Sequence, residues 1–282
     1  MSTLLLKSEI LATYGVVPTS EFDPNLAIRR RVEYLKSFLV ATRRKAFVLG
    51  ISGGVDSTVT GVLCQLACSE LREAGYAARF VAVRLPAGVQ RDEADAQAAL
   101  GGIRPDVVLT VNVGPASNAI HTEGLDAYIT AVGGSAVTPE QADFHKGNVK
   151  ARMRMLAQYE QDALFEGLVV GTDHNAEAVT GFFTLFGDGA CDLTVLNGVS
   201  KRQIRLMAKA MGAPEALWNK APTADLEELN PGKLDDDGFG FPYDLLDDFL
   251  EGIAIPKEVE AKILARFEAT RFKRRSIPGF GG

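Results

Sequence analysis

An unbroken apolar run, Ala46 to Ile51 (AFVLGI), leads directly into the glycine-bearing stretch GISGGVDST, Gly50 to Thr58. A short run that is apolar at every position is the pattern of a strand buried on both faces, which occurs in sheets covered by helices on each side. Beyond the glycines, Val59, Leu63, Cys64, Leu66 and Ala67 form one apolar stripe at helical spacing, ending near Gly75, a helix C-cap candidate. Strand, glycine turn and helix together make the opening of an α/β crossover. The same alternation recurs in RFVAVRLP, DEADAQAAL, VVLTVNV and LVVGT (Leu168 to Thr172), with a long helical stretch before the last strand, clearest in KGNVKARMRMLAQYEQDALF. Upstream, Asp23-Pro24 supplies an N-cap and first-turn proline for a helix carrying Ile28, Val32, Leu35 and Leu39. The predicted fold is α/β, a doubly wound, mainly parallel sheet with helices on both faces and right-handed crossovers. Ligands in such sheets lie beyond the carboxyl ends of the strands, so the segments after Ile51, Leu85 and Val170 are expected to converge on one crevice.

The chain of 282 residues, 46% of them apolar, is long enough for one large domain, expected to span 1–282. Its net charge of −6 argues against general nucleic-acid binding, which needs a basic face. No apolar stretch is long enough to span a membrane, and the N-terminus lacks a signal-peptide pattern, so a cytoplasmic location is expected. Cys64 and Cys68 read as core packing rather than zinc ligands, since no histidine stands at ligand spacing from them.

The glycine stretch reads as a phosphate cradle, with the N–H groups of Ser52, Gly53 and Gly54 aimed at anionic oxygens at a helix start. It lacks the lysine of a Walker A loop and carries Val-Asp-Ser in the comparable region. An aspartate beside phosphates is repulsive unless a hard cation lies between them, so Asp56 is read as a Mg²⁺ ligand. The plainer alternative is an ordinary strand-to-helix turn with an acidic first-turn residue.

SGGVDS resembles the pyrophosphate-binding loop of the N-type ATP pyrophosphatases, a Rossmann-like group that cleaves ATP between the α and β phosphates. VRLPAGVQRDEADAQ, DFHKGNVKARMRMLAQY, VVGTDHNAEAVTGFFTLFGDG, SKRQIRLMAKAMGAPE and KAPTADLE resemble, in order, the motifs of the ammonia-dependent NAD synthetases. The resemblance implies a C–N ligase using ATP, Mg²⁺ and ammonia to amidate nicotinic acid adenine dinucleotide (deamido-NAD), through an acyl-adenylate, to NAD, AMP and pyrophosphate. It also implies a homodimer without nucleic-acid or membrane partners. It occupies the whole length and leaves no part for releasing ammonia from glutamine, so free ammonia is the expected nitrogen donor.

Carried over residue by residue, the resemblance places ATP at Gly50, Ile51, Ser52, Gly53, Gly54, Val55, Asp56, Ser57, Arg84, Gln90, Thr172, Lys201 and Thr223. It places metal at Asp56 and Glu177 and the dinucleotide at Arg152, Asp192 and Lys273. The catalytic set is Asp56, Lys201 and Asp188, the last as ammonium attractor and proton acceptor, with a tight Gly-Asp-Gly turn as its alternative. Plainer roles stand beside the others: snorkelling for Arg84, a surface cation for Lys201, caps for Thr172 and Thr223, and Arg154 as competitor to Arg152. His174 is read as a hydrogen-bonding loop residue, because adenylation needs no imidazole.

Two positions depart from the family pattern. Leu185 stands where a substrate-binding lysine is usual, and Phe272 where a histidine is usual. Replacement partners are expected among Arg271, Arg274 and Arg275. The stretch 222–242, rich in Pro, Gly and Asp, is expected to form a loop closing over substrates, and the tail 276–282 to be disordered.

Overall fold

A computed structural model describes residues 3–88, 93–133, 137–219, 223–224, 226–229 and 233–275. Gln90, the tail 276–282 and parts of 222–242 lie outside the described residues.

Five strands, β1 (Ala46–Gly50), β2 (Arg79–Arg84), β3 (Val107–Thr110), β4 (Gly167–Gly171) and β5 (Leu193–Thr194), form a parallel sheet in the order β3-β2-β1-β4-β5. A separate antiparallel pair joins β6 (Thr223–Ala224) to β7 (Lys233–Leu234). The helices, in chain order, begin with α1 (Thr3–Tyr14), α2 (Pro24–Ala41), α3 (Val55–Glu73), α4 (Glu93–Ile103), α5 (Gly114–Val132) and α6 (Pro139–Phe165). They continue with α7 (Asn175–Thr180), α8 (Lys201–Ala210), α9 (Glu215–Trp218), α10 (Asp235–Phe239), α11 (Tyr243–Leu250) and α12 (Lys257–Ala269).

The two-residue period of a strand sorts its side chains between two cores. Phe47 and Leu49 of β1, with Phe80 and Ala82 of β2, join the cluster formed with α2, α3 and α8. Ala46 and Val48, with Val81 and Val83, join the opposite cluster, which Met153, Ala157 and Phe165 of α6 cover. Burial on both faces explains why β1 is apolar throughout. A third cluster unites Leu6 and Ile10 of α1, Val179 of α7, Leu246 and Phe249 of α11, and Ile263 and Phe267 of α12. It forms a buttress outside the sheet, behind α7.

Capping sets where the helices begin. Asp23 accepts from the amides of Asn25 and Leu26 at the start of α2. Thr138 with Gln141, and Ser200 with Gln203, form reciprocal capping boxes at the starts of α6 and α8. The helical stretch before β4 is therefore two helices, and Thr138 is the signal that separates α6 from α5. β5 is only two residues long, too short for an apolar run to mark it in the sequence.

Strand order reverses between β1 and β4. From β1 the chain winds outward through β2 and β3, then returns to place β4 on the other side of β1. The carboxyl ends of β1 and β4 thus flank the switch point where doubly wound sheets bind ligands.

Candidate active site

The turn leaving β1 is held by its own hydroxyl groups. The Ser57 Oγ donates to the Gly54 carbonyl at 3.1 Å, and the Thr58 Oγ1 donates to the same oxygen at 2.8 Å. The Ser52 amide donates to Ser57 Oγ at 3.3 Å, and the Gly54 amide to Ser52 Oγ at 3.2 Å. Two of the three amides expected to face phosphate are thus engaged by serine hydroxyls, in contacts that an anion would have to replace. Gly53 has φ +88°, and a Cβ there would lie 2.7 Å from the Ala96 backbone nitrogen. Only glycine permits both this backbone and the close approach of α4.

Arg84, at the end of β2, is buried behind this turn. One guanidinium nitrogen donates to the Ile51 carbonyl at 2.6 Å and the other to Glu93 Oε2 at 2.6 Å. It clamps the end of β1 to the first residue of α4. Arg154, half-buried on α6, donates to the Leu85 carbonyl at 3.2 Å, whereas neighbouring Arg152 is exposed.

The first turn of α3 presents Asp56 to the first residue of α8, and Lys201 Nζ donates to Asp56 Oδ2 at 2.6 Å. Burial opposes ionisation of Asp56, but the Lys201 ammonium more than offsets it and holds the carboxyl below its ordinary range. Lys201 is itself placed from behind. Asp247 of α11 accepts from the Lys201 and Arg202 amides at 3.1 and 2.8 Å, satisfying two free N–H groups at the start of α8. Burial pushes the Asp247 carboxyl up to about 6. Tyr243, also on α11, sets its ring 5.3 Å from Lys201 Nζ.

From the other side of the switch point, the segment after β4 brings in Asp173, His174 and Glu177. His174 is fully buried, with Nε2 3.8 Å from Asp56 Oδ1 and 3.6 Å from Glu177 Oε1. Burial, reinforced by the Lys201 ammonium, pushes its ring down to about 3 and keeps it neutral. Asp56 Oδ1 and both His174 ring nitrogens are buried without a hydrogen-bond partner among the described residues. Each such group costs about 1–3 kcal/mol when left unmade. Asp56, His174 and Glu177 each offer one ligand atom, and the three atoms lie within 4.8 Å of one another. Converging, partly unsatisfied donors fit a divalent cation.

Asp188 and Lys273 lie nearby. Asp188 accepts from the Thr184 amide at 2.9 Å, closing the Gly-Asp-Gly turn, and desolvation raises its carboxyl above the ordinary range. Asp173 is pushed up to about 7 by burial and then by the charges of Asp188 and Asp56. Lys273 Nζ donates to the carbonyls of Gly181 and Phe183 at 2.9 and 2.6 Å, tying the last described turn to this loop. Phe272 beside it is 63% exposed, and Leu185 is half-buried. Of the arginines expected nearby, Arg271 pairs with Glu9 at 2.8 Å and with Glu268. Arg274 donates to the Ala178 carbonyl at 3.0 Å and to that of Phe267. Both guanidinium groups hold the C-terminal turn in place.

The remaining sequence-selected residues are more scattered. Thr172 is half-buried at the end of β4. Asp192 accepts from the Val169 amide at 2.7 Å and from Tyr159 Oη at 3.5 Å. Thr223 lies on β6, its side chain outside the description, and Gln90 is not described. Sequence reasoning missed Asp247, Tyr243 and Asp173. An acid 46 residues from Lys201 carries no local signal for a cap, but Asp173 stands inside the GTDHNAEA motif and could have been weighed there.

The arrangement concentrates charge control at one point, with carboxylates, a buried ammonium and helix-start amides. It lacks a thiolate, since burial pushes Cys191 up to about 11. Such a site is suited to aligning anionic groups and stabilising charge rather than to attacking substrate.

Residues 27–277 match the model of the family described as NAD synthase. The NH(3)-dependent NAD(+) synthetase of Streptomyces coelicolor is 52% identical over 274 residues, covering 97% of each chain. That of Pseudoalteromonas translucida is 50% identical over 275 residues, covering 97% of this chain and 98% of its own. The crystal structure of NAD+ synthetase from Burkholderia pseudomallei superposes with a TM-score of 0.80 at 44% identity, covering 97% of both chains. A structure of NMN synthetase from Francisella tularensis aligns at 0.77 with 27% identity, over 92% of this chain and 99% of its own. Fold and sequence agree, and the chain belongs to the NAD synthase family.

Proposed function

We propose that this chain is an ammonia-dependent NAD synthetase acting in the cytoplasm: it amidates the carboxylate of deamido-NAD at the expense of ATP, releasing AMP and pyrophosphate. The observation that carries this reading is the meeting of Asp56, Lys201 and Glu177 beside the SGGVDS turn at the switch point. A carboxylate is a poor acyl electrophile until it is adenylated on the α-phosphate of ATP, after which ammonia displaces AMP. No protein nucleophile is needed. The chain's task is to align the two reactants and to counter the charge growing on departing pyrophosphate.

In this reading the SGGVDS turn and the start of α3 receive the pyrophosphate, and Lys201 supplies positive charge from a dry position. Asp56 and Glu177 hold Mg²⁺, which when bound neutralises phosphate charge. Asp188, with its carboxyl raised, attracts ammonium and accepts its proton. Arg152 and Asp192 lie toward the dinucleotide. Lys273 holds the loop Gly181–Asp188 through its carbonyls and acts on the dinucleotide from there. A cover over the substrates in this region is supported by the anchorage of residues 226–229 on α6: Asp143 accepts from the amides of Glu228 and Leu229 at 2.9 and 2.8 Å, and Lys150 donates to the Leu226 carbonyl at 3.0 Å.

A homodimer is supported by the apolar side chains that α5 and α6 expose: Ile120, Tyr128, Val132, Phe144, Leu156 and Leu164. Apolar side chains left exposed on two helices that pack against each other are the kind of surface a second copy of the chain would cover. Among the described residues no helix is long and apolar enough to cross a membrane. Cys64, Cys68 and Cys191 are free thiols, in keeping with a reducing compartment.

The test is incubation of the pure chain with deamido-NAD, ATP, Mg²⁺ and either ammonium or glutamine, followed by identification of the nucleotides. NAD and AMP formed from ammonium are the expected products. ADP, or no substrate-dependent ATP cleavage, overturns the reading. Nicotinic acid mononucleotide is the informative competing substrate, because one structural relative is an NMN synthetase and because Leu185 and Phe272 alter the pattern associated with the dinucleotide.

A further inference from the structure

His174 is the member of the switch-point cluster to which adenylation gives no role. It is fully buried, yet neither ring nitrogen has a hydrogen-bond partner among the described residues. A buried imidazole normally donates from one nitrogen and accepts at the other. Here Nε2 is aimed into the gap between two carboxylates, 3.8 Å from Asp56 Oδ1 and 3.6 Å from Glu177 Oε1. Those separations exceed hydrogen-bond length. They match the spacing of about 3 to 4 Å between ligands that each lie about 2.1 Å from one ion. Asp56 Oδ1, across the gap, is likewise buried and without a hydrogen-bond partner.

Two of the three donors stand at i and i+3, so one turn of backbone fixes Nε2 relative to Glu177. Asp56 comes from the far side of the switch point, with its second oxygen held by Lys201 at 2.6 Å. The three donor atoms, all within 4.8 Å of one another, converge on one point and need only a small side-chain shift to close on an ion. We propose that His174 Nε2 is a direct third ligand to the divalent cation at Asp56 and Glu177, giving this chain a mixed nitrogen and oxygen site. This rests on the reading of those two carboxylates as cation ligands. Its consequence is metal preference: an imidazole nitrogen suits first-row transition ions, whereas Mg²⁺ favours oxygen donors, so Mn²⁺ and Co²⁺ should occupy the site at lower concentration than Mg²⁺.

The experiment uses the full chain and Mn²⁺ alone, without nucleotide, read by electron spin-echo modulation. Wild type is expected to show modulation from a directly bound ¹⁴N, which changes to the ¹⁵N pattern when the protein is made with ¹⁵N-histidine. His174→Gln is expected to lose the modulation and to bind Mn²⁺ about tenfold or more weakly. The isotope arm needs no substitution and stands even if that variant fails to fold. Mn²⁺ that is displaced by Asp56→Asn but carries no nitrogen modulation overturns ligation by His174 and leaves the two-carboxylate reading standing. No bound Mn²⁺, or binding indifferent to Asp56→Asn, overturns both.

Discussion

Lys201 Nζ lies 2.6 Å from Asp56 Oδ2, joining residues 145 positions apart in the chain. Lys201 is buried and Asp56 nearly so, and removing one partner of such a pair leaves an uncompensated charge. Lys201→Met is expected to destabilise the fold by about 2–4 kcal/mol, while Asp56→Asn combined with Lys201→Met recovers much of that loss. Neither recovers NAD synthesis. Denaturant unfolding of the two single variants and the double variant, beside rates of NAD formation, checks this; additive losses in stability would refute the coupling.

Asp247 acts on Lys201 only through the backbone of α8, where it accepts from two amides. Asp247→Ala is expected to lower stability by about 1–3 kcal/mol and to reduce kcat as the first turn of α8 loosens. Asp247→Asn keeps an acceptor and should lose less of both. Equal kcat in the wild type and the alanine variant would show that α8 holds Lys201 unaided.

Asp173 titrates near 7 in the folded chain, pushed there by burial and by Asp188 and Asp56, against an ordinary value of 3.8. A carboxyl raised by folding favours the folded state most fully below its unfolded value, and that contribution is lost as pH rises through the folded value. Between about pH 4 and 7 this group should therefore lower stability progressively as pH rises, levelling off above 7. Asp173→Asn removes the ionisation, so it should raise the unfolding temperature at pH 8 and leave it unchanged at pH 4. A pH-independent effect of the substitution would contradict the assignment.

Gly53 combines φ +88° with a backbone neighbour 2.7 Å from where a Cβ would stand. Gly53→Ala is expected to cost about 1–3 kcal/mol and to raise KM for ATP, because the turn must move away from α4. Gly75 has φ +84° but no atom within 4 Å of the place a Cβ would take, so substitution there should cost stability without touching KM. Comparing KM for ATP in the two variants separates backbone strain from loss of the cradle.

Leu185→Lys together with Phe272→His restores the residues usual in the family. The expected result is a severalfold lower KM for deamido-NAD with kcat and KM for ATP unchanged, the signature of added uniform binding. A change confined to kcat would instead place these residues in the chemistry.

The sequence displayed the elements whose signals are local. Asp23, Thr138 and Ser200 mark helix starts by capping, and the apolar run from Ala46 marks β1 by burial on both faces. The division between α5 and α6 was available in Thr138 but submerged in a continuous helical composition. β5 could not be read, because a two-residue strand has no period. Within the site, the motifs carrying Asp56 and Glu177 were legible, as was the i, i+3 spacing of His174 and Glu177, but the approach of His174 to Asp56 was not. It depends on the registration of β4 against β1, a property of the packed sheet. Arg84, the last residue of β2, shows the same limit: its pairing with the Ile51 carbonyl and Glu93 follows from how β2 packs beside β1 and α4, which no local pattern announces.

The reversal of strand order has a consequence for synthesis on the ribosome. A nascent chain that has emerged only through β3 already contains the whole SGGVDST turn, but neither the strand that flanks it on its other side nor Glu177, Lys201 and Asp247. Nucleotide-handling capacity therefore arrives late and all at once, when the C-terminal half docks against β1. Truncated products of translation would carry the signature loop and remain inert toward ATP.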